Sequence, residues 1–430
     1  MDISSYLVHN HHKMKYLIII FVLAFWAQDT QGQCPSDFSF TKQIQIDSFP
    51  SKYNCGAIMG SITIFGPSIT SLDSLYPLNT IGGSCTIAST QIHNLNGIHF
   101  SSYGPVNISN NPFLEDLTGM PPHNVVDIIN NDALVNLEGI AFTPYSGNLN
   151  INDNDGLINT NGLIEFSGAV SIDNNSALKD LGSLSSVEGY LLISHNASLT
   201  SLGNLSTVKG DLTISNNASL THLGNLSVVD DQLKIHQNLS LTNLGHLTKV
   251  GHLIISENDS LTNLNGLEEL TIQNAFYLEK NKSLVDISSL ANIEPVDLGI
   301  VLKIADNPLL SECAIASICG FLTANNQFSE IHNNGTGCNS GMEILEQCTV
   351  DNHELSQTTI TIAPNPASDY IFISSNDEKI LDNILIYNAL GQLVFSTKSN
   401  TINSSSLPKG IYTVVVKTSI GLKIEKLILE

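Results

Sequence analysis

The chain has 430 residues, a formal charge of −23 and no arginine, because all 17 of its basic residues are lysines. The charge is concentrated in residues 34–349, which hold 30 acidic residues against 9 lysines, whereas residues 357–430 hold six of each. An acidic surface without arginine is repelled by nucleic acids and anionic lipid head groups, and it lacks the bidentate group that most often binds phosphate. Composition therefore argues against both partners and favours a well-solvated exported protein.

The first 32 residues have the pattern of a secretory signal peptide. The apolar run YLIIIFVLAFWA follows Met14 and Lys15 and ends at Ala27, which makes it short for a membrane span. The triplet Thr30-Gln31-Gly32 provides small residues before a cleavage site. We therefore expect residues 1–32 to be removed, with Met14 as an alternative start, and we expect no transmembrane segment in the mature chain.

One phrase recurs twelve times between Ile62 and Ile304: an apolar residue, any residue, Ile or Leu, and usually Asn three residues later. A clear copy is LTISNNASLTHLGNLSVVD, which begins at Leu212. Successive copies lie 20 to 26 residues apart, and the central ones keep a spacing of 21. A fixed period in this range indicates a solenoid, in which each coil buries its apolar face by stacking on its neighbours. We predict an all-β parallel solenoid of about twelve coils over residues 60–308.

The asparagine of each copy is predicted to be structural. The two apolar side chains of each strand point inward because side chains alternate across a strand, and the asparagine takes the next inward position. An amide there can satisfy backbone groups of its own and neighbouring coils that would otherwise be buried unpaired. This column comprises Asn111, Asn131, Asn154, Asn175, Asn196, Asn217, Asn238, Asn258, Asn281 and Asn307.

The seven cysteines fit an exported protein in which disulfides close both ends of the solenoid. Residues 33–59 are predicted to form an N-terminal cap in which Cys34 pairs with Cys55. Residues 309–349 are predicted to form a C-terminal cap with two bridges of open pairing among Cys313, Cys319, Cys338 and Cys348. Zinc is the alternative for these four, although their spacings of 5, 18 and 9 intervening residues lack the short Cys-x-x-Cys pairs of structural zinc sites. Cys85 replaces the Leu, Val or Ile of other coils and is predicted to be a buried free thiol.

The repeats resemble the receptor L-domain type of leucine-rich repeat over about residues 60–348. The twelve copies carry this resemblance, and they lack the regular helical segment of horseshoe-shaped leucine-rich repeats. The resemblance implies a right-handed parallel β-solenoid, a form found in many bacterial surface proteins. Ligands vary widely in this family, so the resemblance assigns no binding residue.

A separate module follows a polar linker, which we place at residues 350–358. Residues 359–430 contain alternating apolar strands separated by turn residues, and this pattern predicts a small antiparallel Ig-like β-sandwich. The phrases PNPASDYI, IYNALGQLVF and LPKGIYTVVV resemble the type A C-terminal sorting domain of the Bacteroidetes type IX secretion system. The resemblance implies export to the periplasm, passage across the outer membrane by the type IX machinery, and removal of the tail as the protein is released or attached to the cell surface.

Patterns for catalysis and metal binding are weak. The outward strand positions are mostly small and polar, and neighbouring coils bring carboxylates together only loosely, around Asp153, Asp155 and Asp173. A calcium loop at residues 152–156 is disfavoured because its first ligand position would fall on Ile151. We therefore predict a protein without catalytic residues, metal or cofactor. A polysaccharide-degrading β-helix enzyme is the least favoured alternative, because the paired acid and base of such enzymes are missing.

The long repeated face and the sorting domain together favour a secreted or cell-surface protein that binds a glycan or protein ligand, as an adhesin or receptor-like module. The alternative is a structural spacer of the surface coat without a specific ligand. If the face binds a ligand, the outward side chains of the most regular coils are the candidates. They are Asp173, Ser194, Thr213, Ser215, Lys234 and His236, with Tyr190 as the nearest aromatic residue.

Overall fold

The computed structural model describes residue 34 and residues 36–53, 55–120, 125–140, 147–293, 301–325, 329–348, 360–375, 381–418 and 421–430. The predicted signal peptide and the predicted linker lie outside these described residues.

Short parallel strands, one from each coil, form the long face of the solenoid. Their inward positions hold Ile, Leu or Val in nearly every coil, as the period of two requires. The face strands are β1 (Phe38–Phe40), β3 (Ile62–Phe65), β5 (Cys85–Ala88), β7 (Val106–Ser109), β8 (Val126–Ile129), β9 (Asn148–Asn152), β11 (Ala169–Asp173), β13 (Leu191–Ser194), β15 (Leu212–Ser215), β16 (Val228–His236), β17 (Lys249–Ser256), β18 (Thr271–Glu279), β19 (Val301–Ala305) and β20 (Ser329–His332).

A second row of two-residue strands precedes the face strands within the coils. In β16, β17 and β18 the two rows merge into continuous strands of eight or nine residues. The strands of the second row are β2 (Ala57–Ile58), β4 (Thr80–Ile81), β6 (Ser101–Ser102), β10 (Glu165–Phe166), β12 (Ser186–Val187) and β14 (Thr207–Val208). Short 3₁₀ turns occur at Asp73–Leu75 and Ser288–Leu290.

The face strands stack in register, so equivalent residues of successive coils lie side by side. Ile193 pairs with Ile214, and Ile214 pairs with Ile235. The twelve copies of the repeat occupy the face strands from β3 to β19 and enclose about eleven turns. The stacked aliphatic side chains form one continuous core, in which Ile193, Ile214 and Ile235 are all fully buried. The predicted solenoid is therefore confirmed.

Aromatic side chains and a disulfide close the N-terminal end. β1 adds one rung before the first repeat, and two short helices follow it, α1 (Gln43–Asp47) and α2 (Phe49–Lys52). The rings of Phe38, Phe40, Phe49 and Tyr53 pack with centroid distances of 4.9–5.6 Å. Beside them Cys34 is bonded to Cys55. These rings cover the apolar cross-section that the first coil would otherwise expose to water.

Two helices and two disulfides close the C-terminal end. β20 adds the last rung, between α3 (Ala316–Asn325) and α4 (Gly341–Cys348). The pairing that the sequence left open is Cys313 with Cys338 and Cys319 with Cys348. The helices of both caps were not predicted from the strand pattern.

The C-terminal module is built from two antiparallel sheets. β21 (Ile360–Ala363), β22 (Tyr370–Ser375) and β25 (Thr401–Asn403) form one sheet. The other contains β23 (Leu381–Asn388), β24 (Leu393–Thr397), β26 (Gly410–Thr418) and β27 (Gly421–Leu429), in the order β24-β23-β26-β27. Ile371 from the first sheet and Val414 from the second are fully buried in one apolar core, separate from that of the solenoid. This arrangement confirms the predicted small β-sandwich.

Within the described residues, none of the helices has the length and apolar character that crossing a membrane requires.

Candidate binding face

The asparagine column forms a continuous hydrogen-bonded ladder inside the solenoid. Asn217 shows the pattern: its Oδ1 accepts the backbone N–H of Asn196 at 3.0 Å, and its Nδ2 donates to the carbonyl of Ile193 at 3.0 Å. Its own N–H donates to Oδ1 of Asn238 at 3.1 Å. All ten predicted asparagines are fully buried. Each therefore satisfies backbone groups of its neighbours that water cannot reach.

Two residues that the sequence analysis missed end this ladder. Thr90 occupies its first position, and both its N–H and its hydroxyl donate to Oδ1 of Asn111. Asn334 occupies its last position, where its Oδ1 accepts the N–H of Asn307 at 3.0 Å and its Nδ2 donates to the carbonyl of Ile304.

A second column of polar residues, immediately before the ladder, turns the chain out of each face strand. Its twelve members in the described chain have φ between 53° and 58°, a left-handed conformation in which Asn and Asp are favoured over other non-glycine residues. They are Ser89, Asn110, Asn130, Asp153, Asn174, His195, Asn216, Gln237, Glu257, Lys280, Asp306 and Asn333. The frequent Asn and Asp residues directly before the ladder were the sequence signal for this corner.

We name the outward side of residues 169–174, 190–195, 211–216, 232–237, 252–257 and 275–280 the central patch. These segments lie on six consecutive rungs, because β11, β13, β15, β16, β17 and β18 pair in sequence. The patch contains all six candidate binding residues. Thr213 lies beside Lys234, and Ser215 lies beside His236, on neighbouring strands. The ring nitrogen Nδ1 of His236 is 2.9 Å from the hydroxyl of Ser256.

Ser194 departs from the expectation that it is exposed. Only 4% of its surface is accessible, although its strand position points outward. Its hydroxyl donates to Oδ1 of Asp173 on the preceding rung, and Nδ1 of His195 lies 2.9 Å from the same oxygen. The Ser194 hydroxyl is thus bonded to Asp173, which makes it a support for that carboxylate rather than a group open to a ligand.

Three side chains that the sequence did not single out complete the patch: Asp211, His252 and Tyr277. The carboxylate of Asp211 accepts the backbone N–H of Gln232 at 3.0 Å. The ring of His252 meets the ring of Tyr277 edge to face, with centroids 4.9 Å apart and planes 86° apart. Strand register brings them together, since Tyr277 lies beside Ile254, two residues after His252.

The surroundings of Tyr190 and His252 favour the neutral form of both side chains. Partial burial raises the pKa of Tyr190, a hydrogen bond with Thr213 lowers it, and the nearby Asp211 carboxylate raises it. Burial lowers the pKa of His252, although Asp211 acts in the opposite direction. The Nε2 atom of His252 is buried and has no hydrogen-bond partner.

Lys234 is the free cation at the middle of the central patch. Lys303, on the rung that follows the patch, lies 3.1 Å from Glu279 and 3.5 Å from Glu330. Lys234, in contrast, forms no ion pair with a carboxylate of the described residues. Its ammonium group is therefore available to a ligand.

The described parts of the chain contain no group of three or more His, Cys, Asp and Glu side chains placed to hold a metal ion. In the loose acidic group that the sequence indicated, Asp153 accepts a hydrogen bond from Asn174, and Asp155 accepts the backbone N–H of Ser176 at 3.3 Å. These carboxylates bond to the neighbouring coil.

Comparison with known families agrees with both parts of this architecture. Residues 143–272 match the model of the receptor L domain, and residues 361–430 match the model of the secretion system C-terminal sorting domain. No curated protein matches the chain. The sorting domain implies secretion or attachment at the outer cell surface, and with it an interaction with the type IX secretion machinery. The chain is thus a β-solenoid in which residues 143–272 are similar to a receptor L domain, followed by a module, residues 361–430, that is similar to a secretion system C-terminal sorting domain.

Proposed function

We propose that this secreted protein is a non-catalytic, adhesin-like or receptor-like module that binds an extracellular glycan or protein through the central patch. The observation that carries the proposal is the composition of the patch. Many outward residues of the preceding coils are polar and uncharged, such as Asn107 and Asn150, whereas the patch combines two tyrosines with the unpaired Lys234. Aromatic groups beside a few polar groups are the usual composition of a recognition site.

The engagement of the patch carboxylates supports a non-catalytic role. Glycoside hydrolysis needs two carboxyl groups facing each other across a substrate, one to protonate and one to attack or activate water. Here Asp173 bonds to Ser194 and His195, and Glu279 pairs with Lys303. Both carboxylates bind neighbouring side chains, which suits a structural role better than acid–base chemistry.

A binding screen of the full-length oxidised protein against glycan and extracellular-protein arrays tests the proposal. We expect at least one ligand whose binding is lost when Thr213→Val, Ser215→Ala, Lys234→Gln and His236→Ala are combined. The matched control combines Lys179→Gln and Thr200→Val, which are exposed on a different side of the coils. If every ligand binds the fourfold patch variant and the control variant with the same affinity as the parent protein, recognition lies outside the central patch.

A structural spacer is the second candidate, and the unbroken ladder favours it. Fourteen face strands at about 4.8 Å per rung make a rod of about 60 Å. Hydrogen bonds of the ladder join the coils of that rod from Thr90 to Asn334. If the folded protein binds nothing on a broad array, that result would favour the spacer over ligand recognition.

A further inference from the structure

The central patch has a mixed surface that matches the two surfaces of a sugar ring. Tyr190 is 40% exposed, and Leu192, Ile254 and Tyr277 are each partly exposed at the outward strand position. A pyranose ring presents C–H groups on its faces and hydroxyl groups around its edge. Aromatic and aliphatic side chains pack against such faces, while Lys234 offers hydrogen bonds to hydroxyl oxygens.

The shape of the patch favours a narrow, linear ligand. Six rungs span about 24 Å along the solenoid axis, and the six residues of each rung span about 20 Å across it. The resulting area of about 480 Å² is below the roughly 800 Å² that each partner contributes to a standard protein–protein interface. A polymer chain that lies along the axis can instead use the full length of the patch. Tyr190 and Tyr277, four rungs apart, would contact it at points about 19 Å apart.

The charge around the patch favours an uncharged polymer. Residues 34–349 carry 30 acidic residues against 9 lysines, so an anionic polysaccharide is repelled as it approaches. Lys234 at the centre repels a cationic chain where it would have to bind. Hydroxyl groups avoid both penalties, because they accept from the ammonium of Lys234 and donate to the carboxylate of Asp211.

His252 is a positioning residue in this arrangement. Its ring holds the ring of Tyr277 edge to face at 4.9 Å, and burial favours its neutral form by lowering its pKa. The orientation of Tyr277 is thereby set before a ligand arrives, which reduces the entropy lost on binding.

From these contacts we infer that the central patch binds an uncharged polysaccharide chain laid along the solenoid axis, with Tyr190 and Tyr277 as its stacking contacts. The inference rests on the proposed function and restricts its ligand to one chemical class.

Affinity electrophoresis and calorimetry of the full-length protein test the inference. The probes are uncharged polysaccharides (laminarin, xylan and dextran) and anionic ones (alginate and heparin). Binding of at least one uncharged probe is expected, and Tyr190→Ala should weaken it about tenfold, or about 1.4 kcal/mol. Tyr190→Phe keeps the ring and should retain binding. The affinity of Tyr277→Ala is interpreted only after its urea midpoint has shown that this variant is folded.

Two exposed tyrosines elsewhere on the solenoid provide matched controls. Tyr76 is 61% exposed and Tyr103 is 72% exposed, so Tyr76→Ala and Tyr103→Ala remove comparable aromatic surface without touching the patch. Binding that Tyr190→Ala weakens and these variants leave unchanged supports the inference. Polysaccharide binding that is equally strong in Tyr190→Ala overturns it.

The remaining outcomes separate the inference from the proposed function. A protein ligand that is lost with the combined Thr213, Ser215, Lys234 and His236 substitutions, with no polysaccharide bound, overturns the inference and keeps the proposed function. Preference for alginate or heparin contradicts the charge argument and also overturns the inference. If the protein binds none of the polysaccharide probes and no ligand on the arrays, both the inference and the proposed function are contradicted.

Discussion

Replacing Asn217 by alanine should destabilise the solenoid strongly, because the side chain joins its own coil to the preceding one. Its Oδ1 accepts the N–H of Asn196 at 3.0 Å, and its Nδ2 donates to the carbonyls of Ile193 and Ser215 at 3.0 and 3.1 Å. The position is fully buried, so no water replaces the lost amide. Asn217→Ala would leave at least the Asn196 N–H and the Ile193 carbonyl without these partners.

The expected loss follows from those two groups. Each buried polar group left unpaired costs about 1–3 kcal/mol, and the empty amide volume adds to this. We expect a decrease of about 3–5 kcal/mol in the free energy of unfolding, against about 5–15 kcal/mol for a typical domain. The matched control is Asn216→Gly, at the adjacent residue with φ of 57°, where glycine adopts the conformation without strain. It should change stability by no more than about 0.5 kcal/mol.

Urea unfolding of the oxidised protein, followed by circular dichroism, measures this difference. Both the midpoint and the slope are needed, because coils that interact mainly with their neighbours can unfold in segments. A smaller slope in Asn217→Ala would show that the damaged coil separates two units. Equal midpoints and slopes for Asn217→Ala and Asn216→Gly would refute the structural account of the ladder.

Three further outcomes are expected. Burial raises the pKa of the Cys85 thiol to about 12, so iodoacetamide at pH 8 should label it only as fast as the protein unfolds; labelling within minutes in native buffer would contradict this. Because the pKa of folded His252 is lowered, the unfolded chain binds the proton more readily, and this group should reduce stability as pH falls below about 6.5. The urea midpoint of His252→Phe should therefore decrease less than that of the parent between pH 7.5 and 5.5, and parallel decreases would count against it. A Cβ on Gly266, where φ is 99°, would lie 2.0 Å from the Gly245 carbonyl oxygen, so Gly266→Ala should cost more than about 3 kcal/mol, and an unchanged midpoint would exclude that clash.

The structure of a single coil was predictable because it depends on sequence patterns that lie within one repeat of about 21 residues. Alternation placed the two apolar residues and the asparagine on the inward side, and a spacing of 21 aligned them between coils. The disulfide-closed ends followed from cysteines clustered outside the repeat. The domain boundaries and the roles of the candidate binding residues stay predictions.

Contacts between rungs were harder to predict, because they depend on side chains about 21 residues apart. Alternation placed Ser194 outward, but its burial arises from Asp173 on the previous rung. His252 and Tyr277 are 25 residues apart and meet because the pairing of β17 with β18 shifts register between Val250 and His252. Such a shift has no signature in the apolar pattern of either coil.

The last rung was missed because it does not follow the repeat. β20 begins with Ser329 at a position where other coils carry an apolar residue. Asn334 also follows Asn307 by 27 residues, a longer interval than any between the predicted asparagines. Only its hydrogen bonds to Asn307 and Ile304 identify it as the end of the ladder.

The uniform hydrogen bonds between coils in the asparagine ladder have a consequence for how such a chain can evolve. Along the ladder, each amide oxygen accepts the backbone N–H of the coil before it at 3.0–3.1 Å, so any regular coil fits against any other. An in-frame duplication of 21 codons would insert a unit whose two sides already match its new neighbours, and a deletion of the same size would rejoin matching sides. The gene can therefore lengthen or shorten the rod in steps of about 4.8 Å while both closed ends stay unchanged.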